Sequence, residues 1–187
     1  RFMFINQHRE RFAETVIAEM RGVSDENGES PFWQWLEEHF FSMDFPTADY
    51  LTGIGQKVFI AELMPKYPIY VNLLSKDAQA VIGQVHANTR PAIELLKNEG
   101  FTFNGYVDIF DAGPTVEAKI ENIATIRNAK TFKVEIGESQ GDTTVLLAND
   151  KIADFRATVT QVSLSCDADS ITISSELAKA LHLEAGD

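Results

Sequence analysis

Apolar residues recur with two different periods along this chain, and the period changes near residue 128. In the earlier part, stretches with helical spacing alternate with short apolar runs. The first 14 residues are typical of the end of an amphipathic helix, and residues 15–20 form an apolar run that predicts a strand. Ser30 followed by Pro31 then predicts the start of a helix. The buried face of that helix is expected to contain Phe32, Trp33, Leu36 and Phe40.

The middle of the chain carries the same kinds of signal in a similar order. Ser75 predicts the N-cap of a short helix, and residues 81–85 predict a strand. Residues 89–98 predict a second helix, because Pro91 lies in its first turn and Gly100 follows its end.

Both stretches share one order of elements: helix, strand, short loop, amphipathic helix, and an aromatic residue (Phe41 or Phe101) that opens the next strand. We interpret this order as a degenerate internal duplication, which would place two strand-to-helix junctions in one fold. The alternative is that helix–strand–helix order is common in any protein that mixes helices with a sheet. Both interpretations stay open at this point.

After residue 128 the pattern alternates with period two, as in half-buried strands. Glycine, asparagine, aspartate and serine separate the predicted strands, which are residues 132–136, 143–147, 155–164 and 171–173. Ser174 or Ser175 predicts the cap of a short helix that ends at Leu181. The sequence therefore predicts an α+β protein, with a mixed sheet and flanking helices in residues 1–128. Residues 129–187 are expected to form a small β-rich module with a structural or oligomeric role.

Composition narrows the classes of partner. With 44% hydrophobic residues, the chain can bury a sizeable core. The net charge of −12 argues against a nucleic-acid-binding surface, which needs clustered lysine and arginine. Such a charge is typical of solvated acidic faces, and it would also favour a cationic substrate. No apolar run approaches the roughly 20 residues that cross a bilayer, so we expect no membrane segment.

The single cysteine and the two ends give further expectations. Cys166 cannot form a disulfide within the chain, which favours the reducing cytoplasm, and its alternating neighbours favour a strand-end position over a nucleophile. The chain opens on Arg1 without an initiator methionine, inside an apolar pattern, and it closes in a turn at Asp187. We interpret both ends as cuts within a longer protein.

The segment Val-Ile-Gly-Gln-Val-His at residues 81–86 is the strongest candidate for chemistry. A predicted strand ends at His86 and a helix begins about three residues later, so the imidazole would lie at the carboxyl edge of a sheet beside free backbone N–H groups. Histidine can move a proton near neutral pH, and Asn88 and Arg90 bring an amide and a positive charge nearby. The alternative is that His86 only caps the strand and bonds a loop carbonyl.

Charged residues elsewhere are candidates for substrate binding. Asp108 and Asp111 alternate with apolar residues before a Gly-Pro turn, and they would suit a cationic group. The simpler role for Asp111 is to cap that turn by accepting backbone N–H groups. Glu19 and Arg21, at the end of the first predicted strand, could orient a substrate or pair with each other. The other histidines lack the spacing of metal ligands, so we expect no metal site.

Nine blocks of the sequence resemble those of one family, the arginine N-succinyltransferases. They are residues 18–25, 30–33, 41–45, 48–50, 55–57, 59–66, 68–70, 81–86 and 106–111. The blocks follow one another in order over the part of the chain that ends near residue 118, and together they are highly specific. After about residue 130 the resemblance is looser.

The resemblance implies a fold related to the GNAT acyltransferases and the first step of the arginine succinyltransferase pathway. In that step succinyl-CoA, a cosubstrate rather than a bound cofactor, acylates the α-amino group of L-arginine. The histidine of the Gly-Gln-Val-His motif, which is His86 here, is implied to be the proton donor. Family members have proline after that histidine, where this chain has Ala87. The family's CoA-phosphate loop would precede Arg1, so we expect the 187 residues alone to bind CoA weakly and to be inactive.

Position and charge suggest the remaining ligands. We expect Arg90 or Arg21 to bind the succinyl carboxylate and Asp108 or Glu19 to bind the guanidinium, with Asn88 nearby. The expected partners are small molecules, without nucleic acid or membrane, in a cytoplasmic homo- or hetero-oligomer. Two alternatives stay open: a non-catalytic interaction or regulatory subunit on a GNAT-like scaffold, and an acyltransferase that prefers ornithine.

Overall fold

A computed structural model describes residues 1–41, 43–56, 58–63, 65–138, 141–164 and 169–187. These residues form two units: Arg1–Glu14 together with Ile123–Asp187, and Thr15–Asn122. The boundary expected from the sequence lay between residues 128 and 129. In the structure, residues 1–14 and 123–128 belong to the unit that contains the C-terminal strands.

The elements are named in chain order. The α-helices are α1 (Phe2–Gln7), α2 (Pro31–Leu36), α3 (Phe45–Gly53), α4 (Val58–Leu63), α5 (Lys76–Val81), α6 (Arg90–Asn98), α7 (Ala124–Asn128) and α8 (Ser175–Leu181). The strands are β1 (Thr15–Glu19), β2 (Thr102–Val107), β3 (Pro114–Lys119), β4 (Lys133–Ile136), β5 (Thr143–Ala148), β6 (Ala157–Val162) and β7 (Ser170–Ile173). Short 3₁₀ turns lie at Arg9–Arg11, Val71–Leu73, Ala87–Thr89 and Ile120–Asn122, and a π-helical turn at Glu37–Phe41 continues α2. Within the described ranges, none of the helices combines the length and the hydropathy that a membrane crossing requires.

The sheet of the Thr15–Asn122 unit has the order β1–β3–β2, and both pairs are antiparallel. Thr15 lies opposite Lys119 and Glu19 lies opposite Thr115, so the end of β1 meets the start of β3. The strand predicted at residues 15–20 is therefore confirmed. Glu19, the last residue of β1, and Asp108 and Asp111, which precede β3, therefore lie at the same end of this strand pair.

An aromatic cluster forms the core around α2. Trp33 is 1% exposed, and the centroid of its ring lies 4.8 Å from that of Phe41 and 5.1 Å from that of Phe110. The indole N–H donates to the carbonyl of Met43 at 3.0 Å, which satisfies the polar atom of this buried side chain. Since Phe110 belongs to the turn between β2 and β3, the aromatic core anchors that turn.

Several predicted helix starts are confirmed. Pro31 is the first residue of α2, and the Ser75 hydroxyl accepts the N–H of Ala78 at 3.2 Å at the start of α5. Ser30 holds the N-cap position of α2, but its hydroxyl makes no capping hydrogen bond. Phe41 does not open a strand, contrary to expectation, because it is buried as the last residue of the π-helical turn.

Residues 81–85 are not a strand, so that prediction is wrong. Val81 ends α5 and is buried together with Ala78, because it completes the apolar face of that helix. Gly83 then adopts φ +71°, a left-handed conformation that continues neither a helix nor a strand. The interpretation of an internal duplication fails with the strand, since β1 has no counterpart at these positions.

The other unit contains the predicted C-terminal strands. β4 pairs with β7 in parallel, and β5 pairs with β6 antiparallel. The Ser174 hydroxyl caps α8 by accepting the N–H of Leu177 at 3.2 Å, as expected. The core of this unit is formed by Val134, Val162, Ile171, Ile173 and Ala178. Cys166, for which a strand-end position was expected, lies outside the described residues.

Gly22 and Gly113 allow close contact between the chain that follows β1 and the turn that precedes β3. A Cβ atom on Gly22 would lie 2.3 Å from the carbonyl oxygen of Asp111, and one on Gly113 would lie 2.1 Å from the carbonyl oxygen of Met20. Both obstacles are backbone atoms, which cannot rotate away as a side chain can. The two segments therefore need glycine at both positions.

We predict that Gly113→Ala lowers the free energy of unfolding by about 3 kcal/mol, because the segments must separate to admit the methyl group. Gly53→Ala is the matched control, since Gly53 lies in α3 and an added Cβ would meet no atom within 4 Å. The control should be neutral or raise the free energy of unfolding by up to about 1 kcal/mol. Urea denaturation measures both, and equal midpoints for the two variants would contradict the close contact.

Candidate active site

His86 reaches the end of β1 through two backbone hydrogen bonds. The N–H of Gly83 donates to the carbonyl of Ala112 at 2.8 Å, and the N–H of His86 donates to the carbonyl of Arg21 at 2.9 Å. The first acceptor lies in the β2–β3 turn, and the second follows β1. The sequence placed His86 at the end of a strand of its own. Instead, a loop docks it beside the carboxyl end of β1.

One ring nitrogen of His86 is occupied by the backbone. His86 is the N-cap of the 3₁₀ turn Ala87–Thr89, and its Nδ1 accepts the N–H of Asn88 at 3.2 Å. A neutral imidazole whose Nδ1 accepts a hydrogen bond carries its proton on Nε2. Among the described residues Nε2 has no hydrogen-bond partner, and the side chain is half-buried. His86 therefore offers an N–H donor to a bound molecule.

The carboxylate of Asp111 joins two segments that are distant in sequence. Its Oδ2 accepts the N–H of Gly22 at 2.7 Å across 89 residues, and its Oδ1 accepts the N–H of Gly113 at 2.8 Å. The turn-capping role expected for Asp111 is confirmed by the second contact. The first contact fixes the chain after β1 against the same turn.

Asp108 is the ionisable group of this site with a displaced pKa. Its Oδ1 accepts the N–H of Phe110 at 2.7 Å, which holds the β2–β3 turn. Burial raises the pKa of the Asp108 carboxyl, the negative charges of Asp111 and Glu19 raise it further, and the backbone N–H groups of Phe110 and Asp111 oppose the rise. A partly desolvated carboxylate beside two others favours a cation at this position.

The candidate cations lie around the same loops. Arg21 is exposed, and its guanidinium donates to the hydroxyl of Ser24 at 2.8 Å rather than pairing with Glu19. Arg90 is the first residue of α6 and is also exposed. Asn88 lies between His86 and Arg90 in the 3₁₀ turn. Four of the candidate residues thus lie around the end of β1 and the start of β3: Glu19, Arg21, Asp108 and His86. Asn88 and Arg90 follow His86 directly.

A separate cavity of about 570 Å³ lies in the other unit, between α1 and the C-terminal strands. Its lining includes Met3, Phe132, Val145 and Leu147 and none of the candidate residues. For the described residues, no group of three or more His, Cys, Asp or Glu side chains is placed to hold a metal ion.

Sequence reasoning missed the residues that dock the His86 loop. Gly22, Gly83 and Gly113 were not singled out, and neither was Ala112, which is fully buried at φ +54°. The signals were glycines beside the charged candidates, at Arg-Gly after β1 and at Asp-Ala-Gly-Pro before β3. A glycine next to a candidate site residue indicates a close approach of two backbones.

Two family models match the chain. The model for the arginine N-succinyltransferase beta subunit matches residues 1–125, and the model for the C-terminal domain of that subunit matches residues 130–187. The chain belongs to the arginine N-succinyltransferase beta subunit family. The change in hydrophobic pattern near residue 128 falls between the two matched segments.

Curated relatives align over the whole chain. Arginine N-succinyltransferase subunit beta of Pseudomonas aeruginosa is 48% identical over 187 residues. The arginine N-succinyltransferases of an Enterobacter species and of Escherichia coli are 49% and 48% identical over 189 residues. Each match covers 100% of this chain and 54% of the relative, so the chain spans about half the length of these proteins.

A solved structure supports the fold directly. Arginine/ornithine succinyltransferase subunit AI from Pseudomonas aeruginosa matches with a TM-score of 0.86 and 38% sequence identity, over 100% of this chain and 53% of that one. The α+β, GNAT-like fold that the resemblance implied is confirmed by this match.

The displaced pKa of Asp108 leads to a prediction about stability. Because burial raises that pKa, the folded chain holds the charge less well than the unfolded chain does. Asp108→Asn keeps an oxygen for the N–H of Phe110 but removes the charge. The variant is expected to have a higher free energy of unfolding at pH 7, and the difference should vanish as the pH falls below about 4, where Asp108 is protonated in both states.

Chemical denaturation from pH 3 to pH 8 measures this difference. Asp49→Asn, on the exposed surface of α3, is the control for removing one negative charge from a chain of net charge −12. An Asp108→Asn variant that is less stable than the wild type at pH 7, with the control unchanged, would contradict the assignment of a desolvated carboxylate.

Proposed function

We propose that this chain carries the proton-donor part of the active site of an arginine N-succinyltransferase, which transfers a succinyl group from succinyl-CoA to the α-amino group of L-arginine. One observation carries the proposal: His86 has Nδ1 occupied by the N–H of Asn88 and Nε2 free to donate, beside the end of β1 and the Asp108 turn. Membership of the family supports the reaction. The chain spans about half the length of the relatives that it matches.

Acyl transfer from a thioester to an amine moves one proton from nitrogen to sulfur. The neutral amine attacks the carbonyl carbon, the C–N bond forms, and the C–S bond of the tetrahedral intermediate breaks. In this proposal the attacking amine becomes an ammonium in the tetrahedral intermediate, and its proton passes to the sulfur as the C–S bond breaks. The Nε2–H of His86 donates a hydrogen bond to that sulfur and stabilises its developing negative charge. The histidine ends the cycle unchanged.

The acidic side chains around the β2–β3 turn would bind the guanidinium. Asp111 accepts backbone N–H groups on both oxygens, whereas Asp108 accepts them on Oδ1 alone. Among the described residues, Oδ2 of Asp108 and the carboxylate of Glu19 are therefore left for a substrate. Burial raises the pKa of Asp108, and the negative charges of Asp111 and Glu19 raise it further; a bound cation would offset both effects. This relief supports a cationic amino acid as the acyl acceptor.

The succinyl carboxylate needs a cation, and Arg90 suits this role better than Arg21. The guanidinium of Arg21 donates to Ser24, whereas Arg90 has no side-chain partner among the described residues and starts α6, where helix N–H groups favour negative charge.

We assign acyl transfer to residues 1–128. Residues 129–187 would have a structural or oligomeric role. The name "subunit beta" of a relative supports an assembly of several subunits, which we place in the cytoplasm.

Ornithine is a second candidate for the acyl acceptor. The similar solved structure is that of an arginine/ornithine succinyltransferase subunit. Both amino acids present an α-amine and a cationic side chain, so the Asp108 region suits either. The ratio of kcat/KM for the two amino acids in competition decides between them, and a ratio in favour of ornithine would replace arginine as the principal acceptor.

Replacement of His86 tests the proposed role directly. We predict that His86→Gln and His86→Ala lower kcat of the native gene product about 10²–10⁴-fold. KM should change little, because the imidazole acts on the leaving sulfur in the transition state rather than on the bound substrates. His39→Gln is the control, since that imidazole is exposed in the π-helical turn Glu37–Phe41 and bonds the Trp35 carbonyl at 2.6 Å. Turnover of the His86 variants within twofold of the wild type would return this histidine to a structural role.

A further inference from the structure

We propose that Asp111 is a positioning residue for His86, acting through two peptide groups and without touching the substrate. The inference rests on the proposed function for its kinetic consequence. Its structural part, the dependence of the His86 loop on the Asp111 carboxylate, stands on geometry alone.

The carboxylate of Asp111 holds the N–H ends of two peptide groups. Oδ2 accepts from the peptide that joins Arg21 to Gly22, and Oδ1 accepts from the peptide that joins Ala112 to Gly113. Both peptide bonds are trans. In a planar trans peptide the N–H and the C=O point in opposite directions, so an acceptor that fixes one fixes the other.

The C=O ends of the same two peptides hold the His86 loop. The carbonyl of Arg21 accepts the N–H of His86 at 2.9 Å, and the carbonyl of Ala112 accepts the N–H of Gly83 at 2.8 Å. Each carbonyl that accepts a hydrogen bond from the loop therefore belongs to a peptide group whose N–H donates to Asp111. A carboxylate at the N–H also polarises the peptide, which strengthens its carbonyl as an acceptor.

The position of the loop sets the position of the imidazole. Nδ1 of His86 is fixed by the N–H of Asn88, two residues along the same loop, so the ring moves with its backbone. Misplacement of a reacting group by about 1 Å can reduce turnover about 10²-fold. Asp111 accordingly controls catalysis from a distance of two peptide groups.

Asparagine cannot replace this carboxylate although it has the same shape. Asp111 uses both oxygens as acceptors, whereas an asparagine side chain has one oxygen and one NH₂ group. In Asp111→Asn, one of the two peptide N–H groups faces another donor, and that peptide is free to rotate. Asp25→Asn is the matched control, because Asp25 accepts two backbone N–H groups, those of Asn27 and Glu29, on the single oxygen Oδ1, which asparagine keeps.

The experiment compares Asp111→Asn with Asp25→Asn in the native gene product. We expect Asp111→Asn to lower kcat about 10²-fold with both KM values nearly unchanged, since binding groups stay in place while the imidazole is misaligned. Amide hydrogen exchange, measured by NMR, should accelerate at His86 and Gly83 in this variant only. If Asp111→Asn does not fold, Asp111→Glu keeps both oxygens and the charge but displaces them by one methylene, and the same results are expected.

Two results would overturn the inference: kcat of the Asp111 variant within twofold of the wild type, or His86 and Gly83 amides that exchange as slowly as in the wild type. A wild-type gene product that does not succinylate arginine would instead refute the proposed function. In that case the exchange rates alone still decide whether Asp111 fixes the loop, so the two failures are distinguishable.

Discussion

The carboxylate of Asp111 holds two peptide groups at once, and the placement of His86 depends on both. One peptide follows β1 and the other precedes β3, so the contact ties together segments that are 89 residues apart. Their carbonyl ends anchor the loop that carries the imidazole. The position of the His86 side chain therefore depends on the orientation of these two peptide groups, which the hydrogen bonds to Asp111 maintain.

Two further features support the Asp111 contact: glycines that allow the backbones to approach closely, and an aromatic side chain that packs in the core. Gly22 and Gly113 leave no room for a Cβ, which brings the two backbones within reach of one carboxylate. Phe110, within the same turn, packs its ring 5.1 Å from that of Trp33 in the aromatic core. Burial of the Asp108 carboxyl raises its pKa, and the neighbouring charges of Asp111 and Glu19 raise it further. Under the proposed function, a bound guanidinium would offset this penalty.

Local signals in the sequence predicted the elements that depend on local interactions. The strands after residue 128 alternate with period two, and the caps at Ser75 and Ser174 are hydrogen bonds within four residues. The error at residues 81–85 arose because an apolar run fits either a strand or the buried end of a helix, and packing of Val81 in α5 decided for the helix. Gly83 was the contrary signal in that run, because glycine readily adopts the left-handed conformation that it has here.

The candidate site was predictable only in part. The motif around His86 identified the imidazole, and the capping role of Asp111 followed from turn chemistry. The partners of the His86 loop, the carbonyls of Arg21 and Ala112, were not predictable because their contacts span long stretches of sequence and belong to backbone atoms, which carry no residue-specific signal. Long-range peptide contacts of this kind need coordinates.

The most direct test of the account is the tautomer of His86, read from the ¹⁵N chemical shifts of its ring with histidine-labelled protein and His86→Gln for assignment. The account predicts that the neutral ring carries its proton on Nε2, with Nδ1 unprotonated and accepting the N–H of Asn88. A neutral ring protonated at Nδ1 would contradict it. In that tautomer Nδ1 could not accept the N–H of Asn88, and Nε2 would carry no N–H to donate to a bound molecule.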